Sequence, residues 1–132
     1  MAFLTKRPEE LLVRVEVPAL AGARASYRKL RRRGSFDFPV LGVAAWASFD
    51  RAGKVVAARI VLGAVGSHPK LVEDAAAALV GGTLEDDQVE EAARLASKLA
   101  KPLDNTDFTI GWRKDMAPVF VRRALEGLRS VG

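Results

Sequence analysis

Apolar and polar positions change their rhythm along this chain, and the changes mark its elements. Over Glu10-Leu11-Leu12-Val13-Arg14-Val15-Glu16-Val17 apolar and charged residues come to alternate, and Pro18, which has no N–H to give to a ladder, closes the run; this pattern predicts a first strand at Leu11 to Val17. Ala19 to Ala25 is small and turn-like, and Tyr27 to Arg33 reads as a short helical or irregular segment closed by Gly34. Pro39 restricts Phe38 to extended geometry and launches a second strand, Val40 to Phe49. The third, Val55 to Val65, is rich in β-branched residues, with Arg59 as its one charged interruption. Between them Asp50-Arg51-Ala52-Gly53-Lys54 reads as a hairpin turn, since Gly53 suits a left-handed position.

The rhythm then turns helical. Ser67 or His68 is placed to cap a helix with Pro69 in its first turn, running to about Val80 and stopping at Gly81-Gly82. A second helix starts near Asp86, with acids favourably at its N-terminus, and carries Val89, Ala92, Ala93, Ala96, Leu99 and Ala100 on one side until Lys101-Pro102. The last, from about Trp112 to Leu128, sets Ala117, Phe120, Val121, Ala124, Leu125 and Leu128 on one stripe, with Asp115, Arg122, Glu126 and Arg129 opposite. Pro118 predicts that this helix starts later or bends there. Strands first and helices last make an α+β fold: one antiparallel sheet of three or four strands with about three helices packed on one face. Residues 1–132 are expected to form a single domain.

At 132 residues, 49% hydrophobic and 28% charged, the chain suits one soluble globular core. No apolar run approaches the roughly 18 to 20 residues that cross a bilayer, and the N-terminus turns polar too early for a signal peptide, so the expected location is cytoplasmic and no membrane partner is expected. The absence of Cys excludes disulfides and thiolate ligands for iron–sulfur clusters or structural zinc, and a single His disfavours a histidine metal site or a Ser-His-Asp triad. A net charge of +5 raises the question of nucleic acid. Six of the 21 basic residues, however, fall between Arg24 and Arg33, opposed by Glu85, Asp86, Asp87, Glu90 and Glu91. Aromatics are sparse at 7% and none but Tyr27 alternates with that run, so nucleic-acid binding is disfavoured.

No catalytic residue stands out. Asp104 and Asp107 have the look of paired carboxylates, but a turn and then an N-cap explain them more simply. His68 reads as a capping or surface residue. Gly63, Gly66, Gly81 and Gly82 lack the spacing of a dinucleotide fingerprint or a P-loop, so a tight strand-to-helix turn is preferred over an anion site at the helix amides. There remains the run Ser26 to Val43, in which Arg28, Lys29, Arg31, Arg32 and Arg33 come after Tyr27, Gly34 ends the cations and Asp37 precedes a nearly continuous apolar stretch. Taken alone it is a solvated basic helix. Set against the strand that starts at Val40, it is a basic turn at the lip of a sheet.

That run, the turn Asp50 to Lys54, the segment Gly63-Ala64-Val65-Gly66-Ser67-His68-Pro69, then Gly111-Trp112-Arg113 and Arg122-Arg123-Ala124-Leu125, in this order, resemble the C-terminal domain of the FAD-binding (medium) subunit of molybdenum hydroxylases, the carbon monoxide dehydrogenase and xanthine dehydrogenase family. The resemblance runs from Glu10-Leu11-Leu12 and Val17-Pro18 to the last helix. It implies a third domain, an antiparallel sheet flanked by helices, placed after two domains that wrap FAD, in an electron relay of molybdopterin, iron–sulfur and flavin subunits. It also implies that Tyr27, Lys29, Arg32, Arg33 and Asp37 border the flavin or the approach of the electron acceptor. The glycine-rich FAD-binding domains are not in this sequence, so FAD is expected only with a partner domain or subunit, and the isolated chain is not expected to be catalytic. Two other classes stay open at this point: an interaction or homodimerisation module without flavin, and an anion or nucleic-acid binder using the arginine run.

Overall fold

Three long strands and a short fourth form one sheet in chain order. In the computed structural model, which describes residues 6–17, 19, 21–34, 36–104 and 108–129, β1 is Ala23–Leu30, β2 Leu41–Phe49, β3 Val55–Gly63 and β4 Lys70–Leu71, every neighbouring pair antiparallel. Pro18 and Asp107 of the sequence reading lie outside the described residues. Alternation along β2 decides the faces: Leu41, Val43, Ala45 and Ala47 are buried under helices, while Gly42, Ala44, Trp46 and Ser48 turn to the other side. Asp50 closes the β2–β3 hairpin by accepting from the amides of Ala52 at 2.9 Å and Lys54 at 2.8 Å, and Gly53 takes the left-handed φ of 78°.

The helices α1 (Glu73–Ala77), α2 (Asp86–Ser97) and α3 (Ile110–Arg129) come after the sheet. Their apolar sides, including Ala75, Val89, Ala92, Ala96, Ala117, Val121, Leu125 and Leu128, join Leu79 of the turn after α1 and Leu41, Val43, Ile60 and Leu62 of the sheet in one core. Polar links fix α3 at its C-terminal end. Arg24 of β1 donates to the Leu128 carbonyl at 2.9 Å, Arg129 donates to the Leu84 carbonyl and to Asp86, both at 2.6 Å, and Arg122 pairs with Glu90 of α2. Among the described residues no helix is long and apolar enough to cross a membrane.

The α+β reading holds, with three differences. The predicted first strand, Leu11 to Val17, is exposed and outside the sheet. Its place is taken by Ala23–Leu30, read from sequence as turn-like and then helical or irregular. The cause is an edge position: β1 pairs on one side only, and its cations, which hid the alternation, suit an exposed edge. Pro69 opens no helix either; after a turn in which Ala64 takes a φ of 62°, Lys70–Leu71 pair with Leu62 and Val61, and α1 waits for Glu73. Finally, α3 starts earlier than Trp112 rather than later. Thr109 Oγ1 caps it by accepting from the Trp112 amide at 3.2 Å, and Pro118 lies inside the helix without ending it.

Candidate functional site

The face of the sheet turned away from the helices is paved with small residues and carries a few large ones. Pairing sets Tyr27 opposite Ala44, Lys29 opposite Gly42, Trp46 opposite Arg59 and Gly42 opposite Gly63, so all of these share that open face. The Tyr27 ring lies over Gly42: a Cβ there would meet the phenol oxygen at 3.0 Å and ring carbon at 3.6 Å. Glycine is thus what lets the ring lie down. Beyond it, Ala25, Tyr27, Ala44, Trp46, Arg59 and Val61 border a shallow depression of about 430 Å³. A second, of about 710 Å³, adjoins it at Trp46 and Arg59 and reaches Val17.

β1 leads from this face into the cationic loop. Asp37 organises the loop: its carboxylate accepts from the amides of Arg32 at 3.2 Å, Arg33 at 3.3 Å and Phe38 at 2.9 Å, and its carbonyl accepts from Lys29 Nζ at 2.6 Å. Desolvation pushes the Asp37 carboxyl upward, but the amides of Arg33 and Phe38, the Arg33 charge and the Arg32 amide outweigh it, and the net position is below the ordinary carboxylate value. The exposed rings of Phe36 and Phe38 flank this acid, 6.5 Å apart and edge to face. Four of the five residues named from sequence, Lys29, Arg32, Arg33 and Asp37, therefore meet in one turn. Tyr27 stands beside them on the sheet.

Arg113 was not singled out for a role from sequence. It is 1% exposed in the first turn of α3 and donates to the carbonyls of Val40 at 3.0 Å, Ala64 at 2.5 Å and Leu103 at 2.6 Å. Burial pushes its guanidinium below the ordinary arginine value, yet arginine stays charged in the neutral range. Its hydrogen bonds draw together the end of the cationic loop, the turn after β3 and the segment before α3. The signal was present: Arg113 stands in helical register with Ala117, Val121 and Leu128, a cation on the apolar stripe. Elsewhere, Asp104 is exposed, His68 shares hydrogen bonds with Ser67 at 3.1 Å and Lys70 at 3.0 Å, and no His, Cys, Asp or Glu cluster able to hold a metal occurs among the described residues.

Residues 25–128 match the family model described as the CO dehydrogenase flavoprotein C-terminal domain. The chain is 32% identical over 129 residues to the carbon monoxide dehydrogenase medium chain of Afipia carboxidovorans, covering 97% of this chain and 44% of that one. It is 39% identical over 75 residues to the aldehyde oxidoreductase FAD-binding subunit PaoB of Escherichia coli, covering 57% of this chain and 22% of that one. Among solved structures, carbon monoxide dehydrogenase from Hydrogenophaga pseudoflava superposes with a TM-score of 0.78 at 31% identity, over 85% of this chain and 39% of that one. The chain thus spans less than half the length of each of these proteins.

Proposed function

The chain belongs to the family of CO dehydrogenase flavoprotein C-terminal domains, and from that premise we propose that it serves as the C-terminal part of the FAD-binding component of a molybdenum-hydroxylase-type oxidoreductase. The observation that carries this reading is the juxtaposition of Tyr27 and Lys29, on the open face, with the turn that Asp37 builds from Lys29, Arg32 and Arg33. An open, flat face paved with glycine and alanine beside a cationic turn fits a planar, anionic cofactor: the face takes apolar surface and the cations favour negative charge. The fit is to the edge of FAD alone, since no glycine-rich phosphate cradle occurs in this sequence.

FAD, when bound, carries electrons between a donor and an acceptor. This chain's residues have other tasks. Tyr27 presents a ring lying over Gly42, Lys29 and Arg33 supply positive charge, and Asp37 holds both, its carbonyl accepting from Lys29 Nζ and its carboxylate from the Arg33 amide. Further subunits bearing molybdopterin and iron–sulfur clusters belong to the same proposal. A flavin titration tests it: the chain alone stays colourless, and with a polypeptide supplying the rest of an FAD-binding subunit it joins a yellow complex that survives gel filtration. Stoichiometric flavin held by the isolated chain, or no association with any such polypeptide, overturns the reading.

A further inference from the structure

Two carbonyls at one end of the sheet are joined by a single nitrogen. Val40 comes just before β2 and Ala64 just after β3. Arg113 Nη2 donates to both of their carbonyls, at 3.0 Å and 2.5 Å, and so bridges the two strands from the side of the helices. On the open side of the same end Gly42 pairs with Gly63 and carries the Tyr27 ring, with Lys29 opposite Gly42 on β1.

The bridge also reaches the cationic turn. Its loop leaves β1 at Leu30 and returns at Val40, whose amide donates to the Leu30 carbonyl at 2.8 Å and closes the neck. The carbonyl of Val40 is the group that Arg113 holds, so β1 fixes one side of this residue's backbone and α3 the other. On the opposite strand Ala64 takes a φ of 62°, a left-handed conformation that a residue with a Cβ keeps only where its surroundings impose it. A methionine in place of Arg113 would complete the apolar stripe of Ala117, Val121 and Leu128 and join nothing; a planar guanidinium, with its donors in a fixed fork, serves several carbonyls at once.

We propose that Arg113 is the positioning residue of the candidate site: acting through the backbone of Val40 and Ala64, it sets the seat of Tyr27 and the cationic turn together. A flat face and a charged turn meet one planar, anionic cofactor only if their spacing is held, and a buried fork of hydrogen bonds behind both is a support that holds it. This role rests on the functional reading above and names what keeps the two halves of that site in register.

NMR on the 132-residue chain tests it. Tyr27 is the one tyrosine in the sequence, so the nuclear Overhauser effect from its ring protons to the Gly42 α-protons reports the seat without ambiguity. The pH midpoint of the Arg33 and Phe38 amides reports the turn, in which Asp37 faces Lys29 of β1 and Arg32 and Arg33 of the loop. Arg113→Met should at least halve the Overhauser effect and move the midpoint up toward the unfolded carboxylate value of about 3.9, and Arg113→Lys should restore part of both. Leu128→Ala, at the far end of α3, also removes buried contacts and should change neither. Parental values of both signals in Arg113→Met, a change in one of them alone, or the same changes in Leu128→Ala overturn the proposal. If Arg113→Met does not fold, Arg113→Lys decides: intermediate values of both signals support the positioning role, and parental values overturn it. Neither readout involves flavin, so each result leaves the functional reading to its own titration.

Discussion

The guanidinium of Arg113 donates twice to the carbonyl of Val40, from Nη2 at 3.0 Å and from Nε at 3.3 Å, across 73 positions of sequence. Val40 ends the cationic loop, so α3 holds the loop at its junction with β2. Arg113→Met would leave the carbonyls of Val40 and Ala64 without this donor, at about 1–3 kcal/mol for each buried acceptor left unsatisfied. We expect a loss of about 3 kcal/mol in urea unfolding, a large part of a typical stability of about 5–15 kcal/mol, with Arg113→Lys falling between. A methionine variant within about 0.5 kcal/mol of the parent contradicts this role.

Asp37 gives the loop a pH dependence of known sign. Its carboxyl lies below the ordinary value in the folded loop, so the order it confers is fully present above the unfolded value of about 3.9 and is lost as pH falls through the folded one. The amide resonances of Arg33 and Phe38 should move together in an NMR titration with a midpoint under about 3.9, and Asp37→Asn should abolish that movement. A midpoint at or above the unfolded value counts against the amide cradle.

Where β1 meets the end of α3, Ser26 Oγ is buried without a hydrogen-bond partner, and a Cβ on Gly127 would lie 2.5 Å from it. Gly→Ala inside a helix ordinarily gains up to about 1 kcal/mol. Here the contact reverses the sign, and Gly127→Ala should lower the melting temperature. Ser26→Ala removes an unsatisfied hydroxyl and should be neutral or stabilising by about 1 kcal/mol. In a double-mutant cycle, Ser26→Ala should recover most of what Gly127→Ala loses; strict additivity would show that the hydroxyl is not the obstacle.

Replacing Arg31, Arg32 and Arg33 together by Ala should leave the melting temperature within the range of exposed substitutions, about 0.5 kcal/mol. The same change should weaken association with an FAD-carrying partner or slow its flavin reduction. Normal association together with loss of a salt-sensitive affinity for DNA or RNA would assign the arginines to phosphate binding instead.

The middle of the chain was readable because β2 and β3 each bury one face and show it as alternation, with an Asp–Gly turn between them. α2 and α3 were readable for the analogous reason, an apolar stripe at helical spacing. β1 was not: as an edge strand bearing Arg24, Arg28 and Lys29 it has no apolar alternation, and only pairing with β2 makes it a strand. The opposite error at 11–17 has the complementary cause, for the pattern is that of a strand while the sheet to accept it is missing from this fold. Tyr27, Lys29, Arg32, Arg33 and Asp37 were named through family resemblance; the gathering of Lys29, Arg32 and Arg33 about Asp37 depends on loop backbone that no periodicity reports. Arg113 broke an apolar stripe, and a buried cation served by carbonyls on separate loops is visible only after those loops have come together.

The side chain of Arg24 at the start of β1 reaches the Leu128 carbonyl at the end of α3, Nη1 to oxygen 2.9 Å, so the polypeptide enters and leaves this fold within the reach of one arginine side chain. A domain with adjoining ends can be carried at the tip of a longer chain, inserted within one or supplied as a separate piece, and its neighbours need not be threaded or stretched in any of these arrangements. Joining residues 23 and 129 by a short linker and opening the exposed turn at Ala52–Gly53 would give a circular permutant with the same sheet order in space. The fold is portable among gene architectures because its closure is its own.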